Sequence, residues 1–156
     1  MKKLETTLLF LRRGERVLLA EKKRGFGEGK FNGIGGKLEP GETAEQAMIR
    51  ETEEEIGVKP TQYQQVAVID FDEFVKGEWT NVCMNVYVAS DWDGEPTETE
   101  EMRPQWFDVN DLPYDKMFAD DKYWLPLVLG GKKLTARFQF DEDWKMLSHE
   151  IKEENG

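Results

Sequence analysis

A single cysteine and a single histidine leave this chain almost nothing for thiol or soft-metal chemistry. Cys83 alone cannot form an internal disulfide, suits a reducing compartment and reads as strand packing. Without a His/Cys cluster there is no zinc site, and His149, in a charged C-terminal segment, reads as a surface residue. No Ser/His/Asp set suggests itself. No apolar run of membrane-spanning length and no signal-peptide pattern occurs, so a soluble, cytoplasmic protein without a membrane partner is expected. Basic residues are outnumbered, 21 Lys and Arg against 32 Asp and Glu, for a net charge of −11. That balance argues against duplex nucleic acid as a partner, because displacing phosphate counterions requires basic surface. A small polyanion remains admissible if metal ions supply the missing charge. At 156 residues, 38% hydrophobic and 12% aromatic, the chain is long enough for one core and too short for two. A single domain over residues 1–156, acting as a monomer, is expected.

What the chain does have is acid, concentrated at one helix end. Thr43 and Gln46 form a capping box and Gly57 is a stop signal, which predicts a helix over residues 44–56. Glu51, Glu53, Glu54 and Glu55 then fall in its last turns, where the macrodipole is already negative. Each carboxylate there is unfavourable by about 0.3–1 kcal/mol, and the like-charge pairs Glu51/Glu54 and Glu51/Glu55 add to this. At about 100° per residue, Glu51, Glu54 and Glu55 continue a stripe begun by Ala44, Ala47 and Met48, and only Glu53 points away. A charge run is usually a solvated face. Three carboxylates converging at the end of an apolar stripe instead resemble a site for a hard cation with oxygen ligands.

Around this helix the pattern alternates. Strands are expected at residues 6–11 and 16–20 about an Arg13-Gly14 turn, at 66–71, at 82–89, at 105–109 and at 135–140. Residues 91–101 read as a polar connection, and 116–129 as a second helix stopped by Gly130-Gly131. This predicts an α+β fold, a mixed sheet with helices packed against it.

Just before the acidic helix runs a basic, glycine-rich arm. Lys22, Lys23, Arg24, Lys30 and Lys37 are threaded among Gly25, Gly27, Gly29, Gly33, Gly35 and Gly36, with Glu28 the one acid. Glycines let backbone amides approach anions, and Lys or Arg attract phosphate. An arm of this kind joined to a hard-cation cluster points to a polyphosphate as the shared ligand. Two competing motifs fail on spacing. Gly36-Lys37 resembles the end of a P-loop, but Leu38 replaces the Ser or Thr and Phe31 the first Gly. The stretch around Asp91, Asp93, Gly94 and Glu100 mimics a calcium loop, but Ala89 holds the first ligand position.

The pattern Gly36-x5-Glu42-x7-Arg50-Glu51-Thr52-Glu53-Glu54-Glu55-Ile56-Gly57-Val58 resembles a complete Nudix box, the signature of the Nudix hydrolases. Thr52 departs from it, standing where the family usually has an aliphatic residue. The resemblance implies an α/β/α sandwich with a central mixed sheet, and Mg²⁺-dependent hydrolysis of a nucleoside diphosphate linked to another group. Mn²⁺ could serve in place of Mg²⁺. Beyond the box, "KKRGFGEGKFNGIGGK", "EEMRPQWF" and "DDKYWLPL" are similar, in order, to segments of the MutT-type oxidised purine nucleoside triphosphatases, the animal form in particular. Carried over, Lys22, Lys23, Phe26, Asn32, Phe118, Asp120 and Asp121 are substrate-binding residues, with Phe118 replacing a Trp of the animal form.

The resemblance implies an activity that cleanses the nucleotide pool, giving a nucleoside monophosphate and pyrophosphate from a substrate such as 8-oxo-dGTP. Glu51, Glu54 and Glu55 are expected to hold the metal, with the Gly36 carbonyl as a further ligand by resemblance. Glu54, Glu55 or Glu101 takes the proton of the attacking water, and Arg50 fixes the glutamates through bidentate contacts. Asp120 and Asp121 have an alternative reading as a helix cap. If they face a purine, one must be protonated to donate a hydrogen bond, and such a pair suits the extra N–H of an oxidised guanine. Two other functions stay open at this point. A non-cleaving nucleotide sensor would not need the box glutamates, and a Nudix enzyme for unmodified dNTPs or a pterin triphosphate would not need Asn32 and the Asp pair.

Overall fold

The computed structural model describes residues 1–154. Helix α1 spans Ala44–Ile56 and starts on the reciprocal cap: Gln46 N–H donates to Thr43 Oγ1 at 3.1 Å, and Thr43 N–H donates to the Gln46 side chain at 2.9 Å. It ends at Gly57, which takes φ 72° and donates its N–H to the Glu53 carbonyl. A left-handed residue there closes the last turn without the Cβ clash of other residue types. The buried stripe is Ala47, Met48, Thr52 and Ile56. Thr52 fits an aliphatic position because its hydroxyl donates to the Met48 carbonyl at 2.7 Å, so no unmatched donor is buried.

Among the described residues nine strands form the sheet: β1 (Lys2–Arg13), β2 (Arg16–Lys22), β3 (Phe31–Asn32), β4 (Ile34–Lys37), β5 (Lys59–Val75), β6 (Glu78–Asp93), β7 (Met102–Asp108), β8 (Leu134–Phe140) and β9 (Met146–Glu153). The main order is β3-β2-β1-β6-β5-β8-β9, with β4 paired to β1 and β7 to β2. Strands β1 and β6 run parallel, as do β5 and β8, and the other pairs are antiparallel. The sheet is therefore mixed. Helix α2 (Asp121–Leu129) buries Trp124, Leu125, Val128 and Leu129 in one apolar cluster with Phe10, Ile69, Val86 and Phe138. On the other side Met48 and Ile56 of α1 pack with Leu9, Leu11, Ile34 and Ala89. Two helices thus sandwich an α+β sheet, each sealing its own core.

Four segments differ from expectation. The strands expected at 66–71 and 82–89 are parts of a much longer hairpin, turned by Lys76 and Gly77 at φ 49° and 78°. Two consecutive positive φ values make the tight, right-twisted connection that long antiparallel strands favour. The glycine-rich arm is loop only at first, and from Phe31 it enters β3 and β4. Gly35 lies so close to β1 that an added Cβ would fall 1.8 Å from the Thr7 carbonyl oxygen. The second helix begins at Asp121, not at 116: Tyr114–Lys116 is a 3-10 turn and Met117 is extended. Asp121 Oδ2 accepts the Phe118 N–H at 3.0 Å, a local side-chain bond that replaces the helical one. Strand β9, unanticipated, pairs with β8 and carries His149, exposed and ring-stacked with Phe138.

Candidate active site

Arg50 organises the acidic end of α1. Its Nε and Nη2 donate to both oxygens of Glu42 at 2.8 and 3.0 Å, and Nη2 also reaches the Lys37 carbonyl at 3.1 Å. Its Nη1 donates to Glu51 at 2.9 Å and to Glu54 at 3.3 Å. One planar fork thus ties the loop after β4 to the glutamates, which a point-charge lysine could not do. Glu42, chiefly through its bonds from Arg50, is held below the usual carboxylate range.

The like charge is relieved in two ways. Arg50 neutralises Glu51 and Glu54, while Glu55 takes up a proton. Burial, then the nearby charge of Glu51, push the Glu55 carboxyl up to about 8, against a smaller opposing effect of the Gly35 backbone. Its Oε2 is buried with no hydrogen-bond partner among the described residues. Gly36 presses on the same spot, where an added Cβ would come within 2.8 Å of the Glu51 carboxyl. An orphaned acid oxygen, a second carboxylate beside bare backbone and exposed Glu54 one residue away are a donor set that fits a hard divalent cation. The fit is open rather than closed: among the described residues, no three acidic, His or Cys side chains are preassembled into a cage. Substrate phosphates and water are left to complete the coordination, as is usual for Mg²⁺.

Close to this end lies a cavity of about 720 Å³. Gly35 and Gly36 border it, and Phe26, Asn32, Phe118, Asp120 and Asp121 all line it. Asp120 is 6% exposed and Asp121 2%. Asp120 Oδ2 accepts from Trp124 Nε1 at 2.8 Å, and although Asp120 stands at the N-cap position of α2 its side chain makes no cap bond, so a helix cap does not account for the pair. Burial raises both carboxyls, and the adjacent Asp120 charge lifts Asp121 well above the usual range. Both carboxyls thus hold their protons more tightly than exposed acids do, and a pair sharing one proton offers both donor and acceptors. Phe26 and Phe118 lie 6.3 Å apart in a stacked arrangement at one end.

Three residues singled out in the sequence do not line the cavity. Glu101 is exposed and bonded to Arg24 at 2.7 Å, which holds it below the usual range, and its charge acts on Glu55. Lys23 is engaged by Glu98 at 2.6 Å and by the Thr99 carbonyl. Lys22 acts on Glu55 and Glu101 as a nearby charge without lining the cavity. Thr7, Lys30, Phe71, Glu73, Phe140 and Trp144, by contrast, do line it and were not anticipated. Lys30 had a signal, as part of the basic arm. The others reach the cavity only through strand pairing, which no local pattern reveals.

The NUDIX domain family matches residues 1–128. The chain is 44% identical over 151 residues to an oxidized purine nucleoside triphosphate hydrolase of Danio rerio, covering 97% of this chain and 95% of that protein. It is 42% identical over 147 residues to a protein of the same description from Mus musculus, covering 94% and 93%. In fold it is similar to a mutator MutT protein of Bacillus halodurans, with a TM-score of 0.83, 24% identity and coverage of 95% and 97%. The family match runs through the whole of α1 and the glycines before it, and on that match the chain belongs to the Nudix hydrolases.

Proposed function

We propose that this chain, acting as a single domain, hydrolyses oxidised purine nucleoside triphosphates such as 8-oxo-dGTP to the monophosphate and pyrophosphate, with Mg²⁺ or Mn²⁺ as cofactor. The observation that carries this reading is one cavity lined by Asn32, Asp120 and Asp121 and also by Gly36, the backbone against which the Glu51 carboxyl packs. The two curated animal relatives carry the matching description.

Asn32 and the Asp pair hold the base edge, and a proton shared by the pair gives it a donor beside its acceptors. Phe26 and Phe118 grip the ring faces. A divalent cation held by Glu51, Glu54, Glu55 and the Gly36 carbonyl supplies positive charge to the triphosphate and makes water more acidic. Arg50 fixes the orientation of Glu51 and Glu54. Glu101, though tied to Arg24, is near enough for its charge to act on Glu55. The proton of the attacking water goes to Glu54, Glu55 or Glu101. A pyrophosphate-release screen over oxidised and unmodified nucleoside triphosphates tests the reading. Equal kcat/KM for 8-oxo-dGTP and dGTP would overturn the oxidised-purine assignment.

A further inference from the structure

We propose that Glu73 is a third base-reading acid of this cavity, and that its ligand is the exocyclic amino group of a purine. The inference rests on the oxidised-purine reading and names a chemical group which that reading leaves unassigned.

Strand alternation sets the side chain's direction. Phe71 and Glu73 face the cavity, while Asp72 between them turns away and is bonded by Asn81, Arg137 and Gln139. The neighbouring walls are apolar, from Val82 and Met84 of β6 and Phe140 of β8. Among the described residues no hydrogen bond or ion pair reaches the Glu73 side chain, although Asp120 is bonded by Trp124 and Asp121 by the Phe118 amide. A half-buried carboxyl facing apolar walls is left to water or a ligand for its donors.

The charges around Glu73 define what that ligand is. Asp120 faces it, Asp121 stands beside Asp120, and Lys30 is the cation lining the same space. Burial, then the Asp120 charge, push the Glu73 carboxyl up to about 7, so this region is rich in acceptors and poor in positive charge. A carbonyl oxygen aimed there would be repelled whenever the acids ionise. An amino group carries two hydrogens and can give one to each of two carboxyls. A 2-amino purine therefore satisfies Glu73 and Asp120 together, whereas a purine lacking that group leaves Glu73 unmatched.

The test uses 8-oxo-dGTP and 8-oxo-dITP, which differ only by the 2-amino group. Wild type is expected to favour 8-oxo-dGTP by about tenfold in kcat/KM, the worth of one well-placed buried hydrogen bond. Glu73→Leu should lower that ratio severalfold by slowing 8-oxo-dGTP alone, the amino contact with Asp120 keeping the rest, and Glu73→Gln, which keeps an acceptor, should retain most of it. A ratio unchanged in Glu73→Leu, or a parallel fall for both substrates, overturns the proposal. Calorimetric binding of 8-oxo-dGMP and 8-oxo-dIMP reads the same discrimination without turnover, and the melting temperature of each variant checks its fold. If wild type hydrolyses neither triphosphate, the oxidised-purine function fails, while the monophosphate pair still decides the role of Glu73.

Discussion

Replacing Glu55 by Gln separates what the acid does for catalysis from what it does to the fold. With its carboxyl pushed up to about 8 from an ordinary value of 4.5, the metal-free protein holds Glu55 neutral at pH 7. Unfolding releases that proton, so the native state is disfavoured relative to a neutral side chain by up to ~3 kcal/mol at pH 7, at ~1.4 kcal/mol per pH unit. Gln removes this penalty but still buries a polar group near an unmatched position, so a net gain of ~1–3 kcal/mol is expected. The sign follows from a raised folded value. Glu55's contribution to stability is fully present below pH 4.5 and is lost as pH rises through about 8. Urea unfolding in the presence of a chelator, at pH 4.5, 6, 7 and 8.5, should therefore show the variant equal to wild type at the acid end and increasingly more stable toward the alkaline end. Turnover of the variant with Mg²⁺ should be nearly abolished. A stability difference that does not change with pH, or wild-type turnover in Glu55→Gln, would refute the assignment of this residue.

Magnesium at a hundredfold its Kd should stabilise wild type by ~2.7 kcal/mol, raising the melting temperature by ~5–10 °C, and Glu51→Ala should lose the shift; an unchanged shift in a thermal scan places the ion elsewhere. Because ion binding must displace the Glu55 proton, Mg²⁺ affinity measured by titration calorimetry should rise up to ~tenfold per pH unit between pH 6 and 7.5. Arg50→Lys loses the paired contacts to Glu42 and should cost ~1–2 kcal/mol in urea unfolding together with most of the activity. Asp120→Asn should narrow the preference for 8-oxo-dGTP over dGTP more than it weakens Mg²⁺ binding, and in wild type that preference should fall at alkaline pH, as both buried acids ionise and the shared donor disappears; a flat pH profile of the kcat/KM ratio would contradict the shared proton.

Helix α1 was legible in the sequence because its signals are local: the Thr43/Gln46 box, the Gly57 stop and the stripe between them are each satisfied within a few residues. Its glutamates raised a physical question that Arg50 and the proton on Glu55 answer, and neither answer depends on chain-distant contacts alone. The mixed sheet was legible as a class, but the length of the β5–β6 hairpin hung on the Lys76-Gly77 turn, whose signal was passed over. The start of α2 was misplaced because helical periodicity continues through Met117, while a single side chain, Asp121, redirects the backbone at Phe118. The cavity divides in the same way. Phe26, Asn32, Phe118, Asp120 and Asp121 came from family resemblance and meet in one space, whereas Glu73 and Trp144 face it through strand register and a hairpin turn.

That hairpin turn has an implication for how selectivity can change. Phe140 and Trp144 line the far wall, and Trp144, at φ 63°, packs 5.1 Å from Phe26. Asp141 fixes the turn by accepting the amides of Asp143 and Lys145 through its side chain. Both aromatic residues lie beyond the family match that ends at residue 128, Phe140 at the end of β8 and Trp144 in the turn that follows. Substitutions in this turn can therefore reshape the opening through which the base enters while Arg50 and the glutamates stay as they are. Such a division lets mutation, natural or engineered, retune what is admitted without disturbing the means of cleavage.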